Sequence, residues 1–171
     1  MSDALNTIIK EKITAKFGEH VLETTEFRGQ LAFTVKQDRN CEIAEFLKTD
    51  PDLAYDYLED ICGADYLEYE GAKDRFCVIY QFYSFKNNHR VRVKVFLPEK
   101  NPSLDSLTCL WKSAGFPERE IYDMYGITFR NHPDMRRLLM PDDFGSNPLR
   151  KDYPLKGKGE RDRFPKYTVD D

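Results

Sequence analysis

The sequence predicts an α+β fold in two layers, helices packed on a mixed, mostly antiparallel sheet, followed by an extended proline-rich C-terminal segment. Three observations carry this expectation. Apolar residues recur at helical spacing near the N-terminus and at strand alternation between residues 76 and 97, without a strict strand–helix rhythm. Five of the nine prolines fall after residue 130, where they exclude long helices and central strands. The apolar share, 40% with 13% aromatics over 171 residues, is enough for one packed core.

The elements follow in order. Leu5, Ile8, Ile9, Ile13 and Phe17 lie on one helical stripe with Lys10, Glu11, Lys12 and Lys16 mostly opposite, which predicts an amphipathic helix ending near Gly18. The runs 20–27 and 30–35, joined at Arg28-Gly29, read as a hairpin, and Leu31, Phe33 and Val35 mark a half-buried strand. A helix from about Cys41 to Thr49 buries Ile43, Ala44, Phe46 and Leu47 and stops at Asp50-Pro51. Residues 53–70 suggest a short helix and then a strand around Ala64–Tyr69. The stretch 76–85 is apolar on both faces, as in a central strand covered on two sides. Val91, Val93, Val95 and Leu97 alternate with Arg92 and Lys94, and Asn87-Asn88 suits the turn between the two. Residues 104–114 read as a helix carrying the only Trp, Trp111. A last short helix starts at Pro117 and ends at Gly126. The folded domain is expected over 1–130 and a partner-docking tail over 131–171.

Composition removes several function classes. A net charge of −4 with both signs interspersed offers no basic face for nucleic acid. No run approaches the roughly 18 apolar residues of a membrane helix, and no basic-then-apolar leader opens the chain, so a cytoplasmic protein is expected. Cys41, Cys62, Cys77 and Cys109 include no C-x-x-C pair, and all four read as small core residues rather than metal or cluster ligands. His20, His89 and His132 are scattered. Gly157-Lys158-Gly159 lacks the third glycine and the strand–turn–helix frame of a dinucleotide loop.

Two stretches concentrate functional residue types. In Glu118-Arg119-Glu120-Ile121-Tyr122-Asp123-Met124-Tyr125-Gly126, Glu118, Glu120 and Asp123 could form an acid–base set. Yet acidic groups in a first helical turn are stabilised by the helix dipole without catalysis, and Ile121, Met124 and Tyr125 make an apolar stripe. In His132-Pro133-Asp134-Met135-Arg136-Arg137, the paired arginines suit ion pairs with carboxylates at an interface. The tail mixes nine Lys/Arg and eight Asp/Glu with Met135, Leu138, Leu139, Met140, Phe144, Leu149, Tyr153, Leu155, Phe164 and Tyr167. A solvated tail would lack these apolar side chains, each able to contribute roughly 1.5–3 kcal/mol on full burial. They must lie on this domain or on a neighbour, and partner binding is the preferred reading.

From Trp111 to Leu155 the chain resembles the signature of the 30-kDa (C) subunit family of NADH:quinone oxidoreductase, complex I. The matching residues are Trp111 through Phe129, Asn131 through Asp143, and Pro148-Leu149-Arg150-Lys151-Asp152-Tyr153-Pro154-Leu155. The first hundred residues agree with that family in size and element order only. Phe144 stands where a Trp is common and Asn147 where a His is common. The resemblance implies a non-catalytic structural subunit of the hydrophilic arm, packed on the 49-kDa (D) subunit near the quinone site, with B- and I-type subunits as further neighbours. The complex passes electrons from NADH through FMN and iron–sulfur clusters to quinone and translocates protons. By resemblance this subunit holds none of those groups, meets quinone only through the complex, and lies peripherally on the cytoplasmic side of the bacterial inner membrane. The end at Asp171 suggests a separate subunit rather than a fusion. The interface residues the resemblance implies are Glu118, Arg119, Glu120, Tyr122, Asp123, Tyr125, Gly126, His132, Pro133, Asp134, Arg136, Arg137 and 148–154. An equivalent subunit of a related membrane-bound hydrogenase, or of another quinone-reducing complex, is the alternative. An independent acid–base enzyme using Glu118, Glu120 and Asp123 is the rival from another class.

Overall fold

The computed structural model describes residues 2–159. Helix α1 (Ser2–Phe17) precedes a hairpin of β1 (Val21–Phe27) and β2 (Gln30–Val35), then helix α2 (Asn40–Thr49). Strands β3 (Tyr57–Asp65), β4 (Phe76–Ser84) and β5 (His89–Leu97) follow. A short β6 (Ser103–Asp105) and β7 (Thr128–Arg130) flank helix α3 (Gly115–Tyr125). The main sheet runs β1-β2-β5-β4-β3 and is antiparallel except where β2 pairs parallel with β5, Leu31 opposite Val91. β6 and β7 form a separate parallel pair.

One core joins the layers. Ile9, Ile13 and Phe17 of α1, Ile43, Ala44 and Leu47 of α2, and Ile121 of α3 pack with the sheet residues Phe33, Tyr80, Val93 and their neighbours in alternate positions. The predicted architecture is therefore the observed one, and the first helix, the hairpin and α2 fall where periodicity puts them. A buried polar chain ties α1 to β5: Tyr55 Oη lies 2.7 Å from His89 Nδ1, and His89 Nε2 lies 2.9 Å from Asn6 Oδ1.

Several expectations are corrected. No helix occupies 53–63, and the strand there comes earlier than 64–69. β3 carries a bulge between Leu58 and Asp60. The extra residue turns Leu58 and Ile61, three apart, to the same buried side and imitates helical spacing. Residues 104–114 are not a helix either. Leu104, Leu107, Trp111 and Ala114 are all buried, but through β6, a single turn closed by the Trp111 N–H to the Leu107 carbonyl (2.8 Å), and a 3-10 turn over 112–114. α3 begins two residues before Pro117. β2 is covered on both sides, Ala32 and Thr34 included, whereas β4 has a half-buried second face apart from Cys77. The middle strand is β5. Of the cysteines only Cys77 is a core residue; Cys41 and Cys62 are half-buried and Cys109 is exposed.

Candidate partner-binding site

The two signature stretches come together in one device. Residues 131–159 form no helix or strand and run back across α3 as a strap. A helix ends with four carbonyls that have no intrahelical donor. Here the Gly126 N–H takes the Tyr122 carbonyl at 2.8 Å, and the strap reaches all four. Asn147 Nδ2 donates to the Tyr122 and Asp123 carbonyls at 3.3 and 2.9 Å, the Leu149 N–H to Met124 at 3.1 Å, and Arg150 Nε to Tyr125 at 2.6 Å. Gly126 makes the close approach possible. Its φ is +75°, and a Cβ there would lie 2.6 Å from Arg150 Nη2 and 2.8 Å from Asn147 Oδ1.

Asp123 supplies the second anchor. Its side chain is fully buried, and Oδ2 accepts the consecutive N–H groups of Leu138, Leu139 and Met140 at 3.0, 2.7 and 2.9 Å. Oδ1 accepts from Arg137 Nη1 at 2.6 Å. Burial opposes ionisation, but the three amides and the guanidinium outweigh it and hold the carboxyl below the ordinary range. Arg119, at the start of the helix, donates to the carbonyls of Arg136 (2.9 Å) and Arg137 (2.8 Å). Arg136 itself is exposed and pairs with Asp134 at 2.7 Å. His132 lies 3.1 Å from the Gly115 carbonyl through Nε2 and accepts the Asp134 N–H at Nδ1, 3.0 Å away. Pro133 is exposed.

A third anchor lies beyond α3. The Lys151 N–H donates to Asp65 Oδ2 (2.9 Å), and Asp152 Oδ1 lies 2.8 Å from Arg75 Nη2. Arg75 is itself buried and bonded twice to Asp65, at 3.2 and 3.0 Å, and to Glu99. Tyr153 packs its ring against Phe144, Pro148 is half-buried and Pro154 exposed. Neither Asp65 nor Arg75 stands out in the sequence, because a charged residue beside a strand end looks alike whether buried or solvated.

The three carboxylates of the acid–base rival do not converge. Glu118 is fully buried and faces Ser106 Oγ (2.6 Å) and the Leu107 N–H (2.8 Å); burial pushes its carboxyl up to about 7 although both partners pull the other way. Asp123 is taken up by the strap. Glu120 is exposed on the rim of a groove of about 250 Å³ between β3 and α3, which Tyr125, Met124 and Leu149 also line. At its floor Gly63 lets the Tyr125 ring lie where a Cβ would be 2.7 Å away.

While the strap's polar groups bond within the chain, its apolar ones divide. Met135 packs on the core, but Leu139 and Leu149 are 60% and 50% exposed and Leu155 is fully exposed. The expected positions of Phe164 and Tyr167 lie outside the described residues.

The model of the family described as respiratory-chain NADH dehydrogenase, 30 Kd subunit, matches residues 33–159, from β2 through the whole strap. The chain belongs to that family. Relatives that bear the name of the C subunit of NADH-quinone oxidoreductase include one from Geobacter metallireducens, 47% identical over 86% of this chain and 89% of its own. Another, from Roseiflexus castenholzii, is 45% identical over 88% and 84%. A solved structure of Nqo5, described as its trypsin-resistant fragment, is 33% identical with a TM-score of 0.67 and covers 76% of this chain and 98% of that one. A chain of an archaeal respiratory membrane complex, the membrane-bound sulfane sulfur reductase, shares the fold over 94% of this chain with a TM-score of 0.72 at 20% identity. Family members thus resemble this chain both in the body and across the strap. Among the described residues no helix is long and apolar enough to cross a membrane.

Proposed function

We propose that this chain is a non-catalytic structural subunit of the hydrophilic arm of a proton-translocating NADH:quinone oxidoreductase. It docks through residues 131–171 onto the 49-kDa (D) subunit near the quinone site, with B- and I-type subunits as further neighbours. Electrons pass from NADH through FMN and iron–sulfur clusters held by partners, and this chain holds its place peripherally, on the cytoplasmic side of the inner membrane. The observation that carries the reading is the division of labour in the strap: its backbone, Arg137 and Arg150 are bonded to α3, while Leu139, Leu149 and Leu155 face outward from a fixed scaffold. Exposed large apolar groups on an ordered segment mark a surface meant to be covered. Family membership supplies the kind of partner.

The test uses a tagged chain expressed from its own locus, membranes extracted in mild detergent, and identification of what co-purifies. The 49-kDa subunit and an NADH-oxidising flavoprotein should accompany the wild type. Leu139→Asp combined with Leu155→Asp should melt at the wild-type temperature yet lose both. A chain that purifies alone, or a double variant that assembles normally, refutes the docking role. Retention of the 49-kDa-type partner without any NADH-oxidising flavoprotein would instead assign the chain to a hydrogenase-like complex.

A further inference from the structure

Two sulfurs meet where α2 passes the connection between β6 and α3. Cys41, in the first turn of α2, has its Sγ 3.9 Å from the Sγ of Cys109, in the turn after β6, and both are free thiols. Both segments are held in place. Asn40 Nδ2, next to Cys41, donates to the Asp105 carbonyl at 2.8 Å, and Lys48 at the other end of α2 bonds to the Leu110 carbonyl. The turn is pinned from behind by Glu118, which takes the Leu107 N–H and the Ser106 hydroxyl. The sulfurs therefore face each other because two clamped backbones place them there. Their exposures differ: Cys109 is open to solvent and Cys41 is half-buried behind it. Burial, with the neighbouring Cys109 sulfur and its hydrogen bond adding to it, pushes the Cys41 thiol up to about 12.

We propose that Cys41 and Cys109 form a reversible thiol–disulfide site that reacts with hydroperoxides. Cys109 is the attacking residue because it is the one a solute reaches. Its thiolate attacks one peroxide oxygen, the O–O bond breaks, and hydroxide or alkoxide departs, leaving Cys109 as the sulfenic acid. The Cys41 sulfur then attacks the Cys109 sulfur. The S–O bond breaks, the S–S bond forms, and the departing hydroxide takes the Cys41 proton as water. Two thiols have given two electrons to one peroxide, and a dithiol reductant returns them by exchange. In a reducing compartment such a bond is transient, which suits a sensor of oxidant rather than a permanent staple. The covalent link would tie α2 to the connection that carries α3, closing a long loop and restraining the unfolded chain.

The experiment treats the full-length native chain with excess hydrogen peroxide, alkylates remaining thiols in guanidinium, and maps peptides without reduction. The expected product is one intramolecular link between the Cys41 and Cys109 peptides, lighter by two hydrogens and reversed by dithiothreitol, with Cys62 and Cys77 still fully alkylated. Cys41→Ser should let Cys109 run on to the sulfinic acid, and Cys109→Ser should leave Cys41 unoxidised. Accumulation of Cys109 sulfinic acid or of an intermolecular disulfide in the wild type overturns the proposal, as does full alkylation of all four thiols. The wild-type map stands by itself should either variant misfold.

Discussion

Asp123 is the side chain on which the strap turns, and Asp123→Ala isolates its role. The substitution removes the acceptor of three consecutive amides and of Arg137, all within 3.0 Å of a carboxylate with no solvent exposure. Deleting one partner of a buried, hydrogen-bonded ion pair costs about 3–5 kcal/mol. Released amides regain water once the strap lifts, so the loss falls mainly on strap closure, and the open fraction should rise roughly 10²–10⁴-fold. Limited trypsin digestion reads this directly. Cleavage after Arg137 needs the amides of residues 138–140 unpinned, and proteolysis tracks the open population when reclosing is fast. Asp123→Asn keeps an acceptor oxygen and should fall between. Cutting of Asp123→Ala at the wild-type rate, with exchange protection at Leu138–Met140 unchanged, would refute the anchor. Because the folded carboxyl titrates below its ordinary 3.8, the anchor is complete above that pH and is lost as pH falls through the lower folded value. The protection factors of the Leu138–Met140 amides, relative to their intrinsic exchange rates, should fall in that acid window.

Further outcomes are expected. Glu118 titrates near 7 when folded against an ordinary 4.5, so its contribution to stability is present below 4.5 and declines as pH rises through 7; Glu118→Gln should remove that decline, about 3 kcal/mol at most, in urea melts across pH 4–8. His89 runs the opposite way. Burial lowers its pKa below 6.5, so its contribution is present above 6.5 and lost as pH falls through the folded value, and His89→Gln should flatten the acid side of the same profile. Gly126→Ala should cost roughly 1–3 kcal/mol and raise strap proteolysis, since it strains a φ of +75° and strikes Arg150 and Asn147. Arg75→Met should lower the melting temperature by stranding the buried Asp65, a loss of about 3–5 kcal/mol; an unchanged melt would show Asp65 to be solvated.

What the sequence makes legible, and what it hides, follows from how each contact is encoded. α1, α2 and the β1–β2 and β4–β5 hairpins are written in side-chain periodicity and can be read from it. β3 is hidden because one bulge converts a two-residue repeat into a three-residue one. The 104–114 region is hidden because reverse turns bury Leu104, Leu107, Trp111 and Ala114 at intervals a helix would use. The signature residues of α3 and the strap are visible as a cluster of types, but their pairing is not. Most acceptors in the contacts between α3 and the strap are backbone carbonyls, of Tyr122 to Tyr125 on the helix and of Arg136 and Arg137 on the strap, and a carbonyl leaves no mark on residue identity. The Cys41–Cys109 approach depends on the same deceptive turn, so four cysteines without a close pair give no hint of it.

The sheet order also sets a timetable. β2 finds its parallel neighbour only in β5, so a strand complete at residue 35 waits for one complete at residue 97. At ribosomal speeds of roughly 5–20 residues per second that interval lasts several seconds. A lone two-stranded hairpin is at best marginally stable in water; α1 and α2 share a core with Leu31, Phe33 and Val35, but the open edge of β2 has no strand to pair with until β5 arrives. The edge of nascent β2 thus stays unpaired through that interval, and it is the part of the polypeptide for which a holding chaperone during translation would matter most.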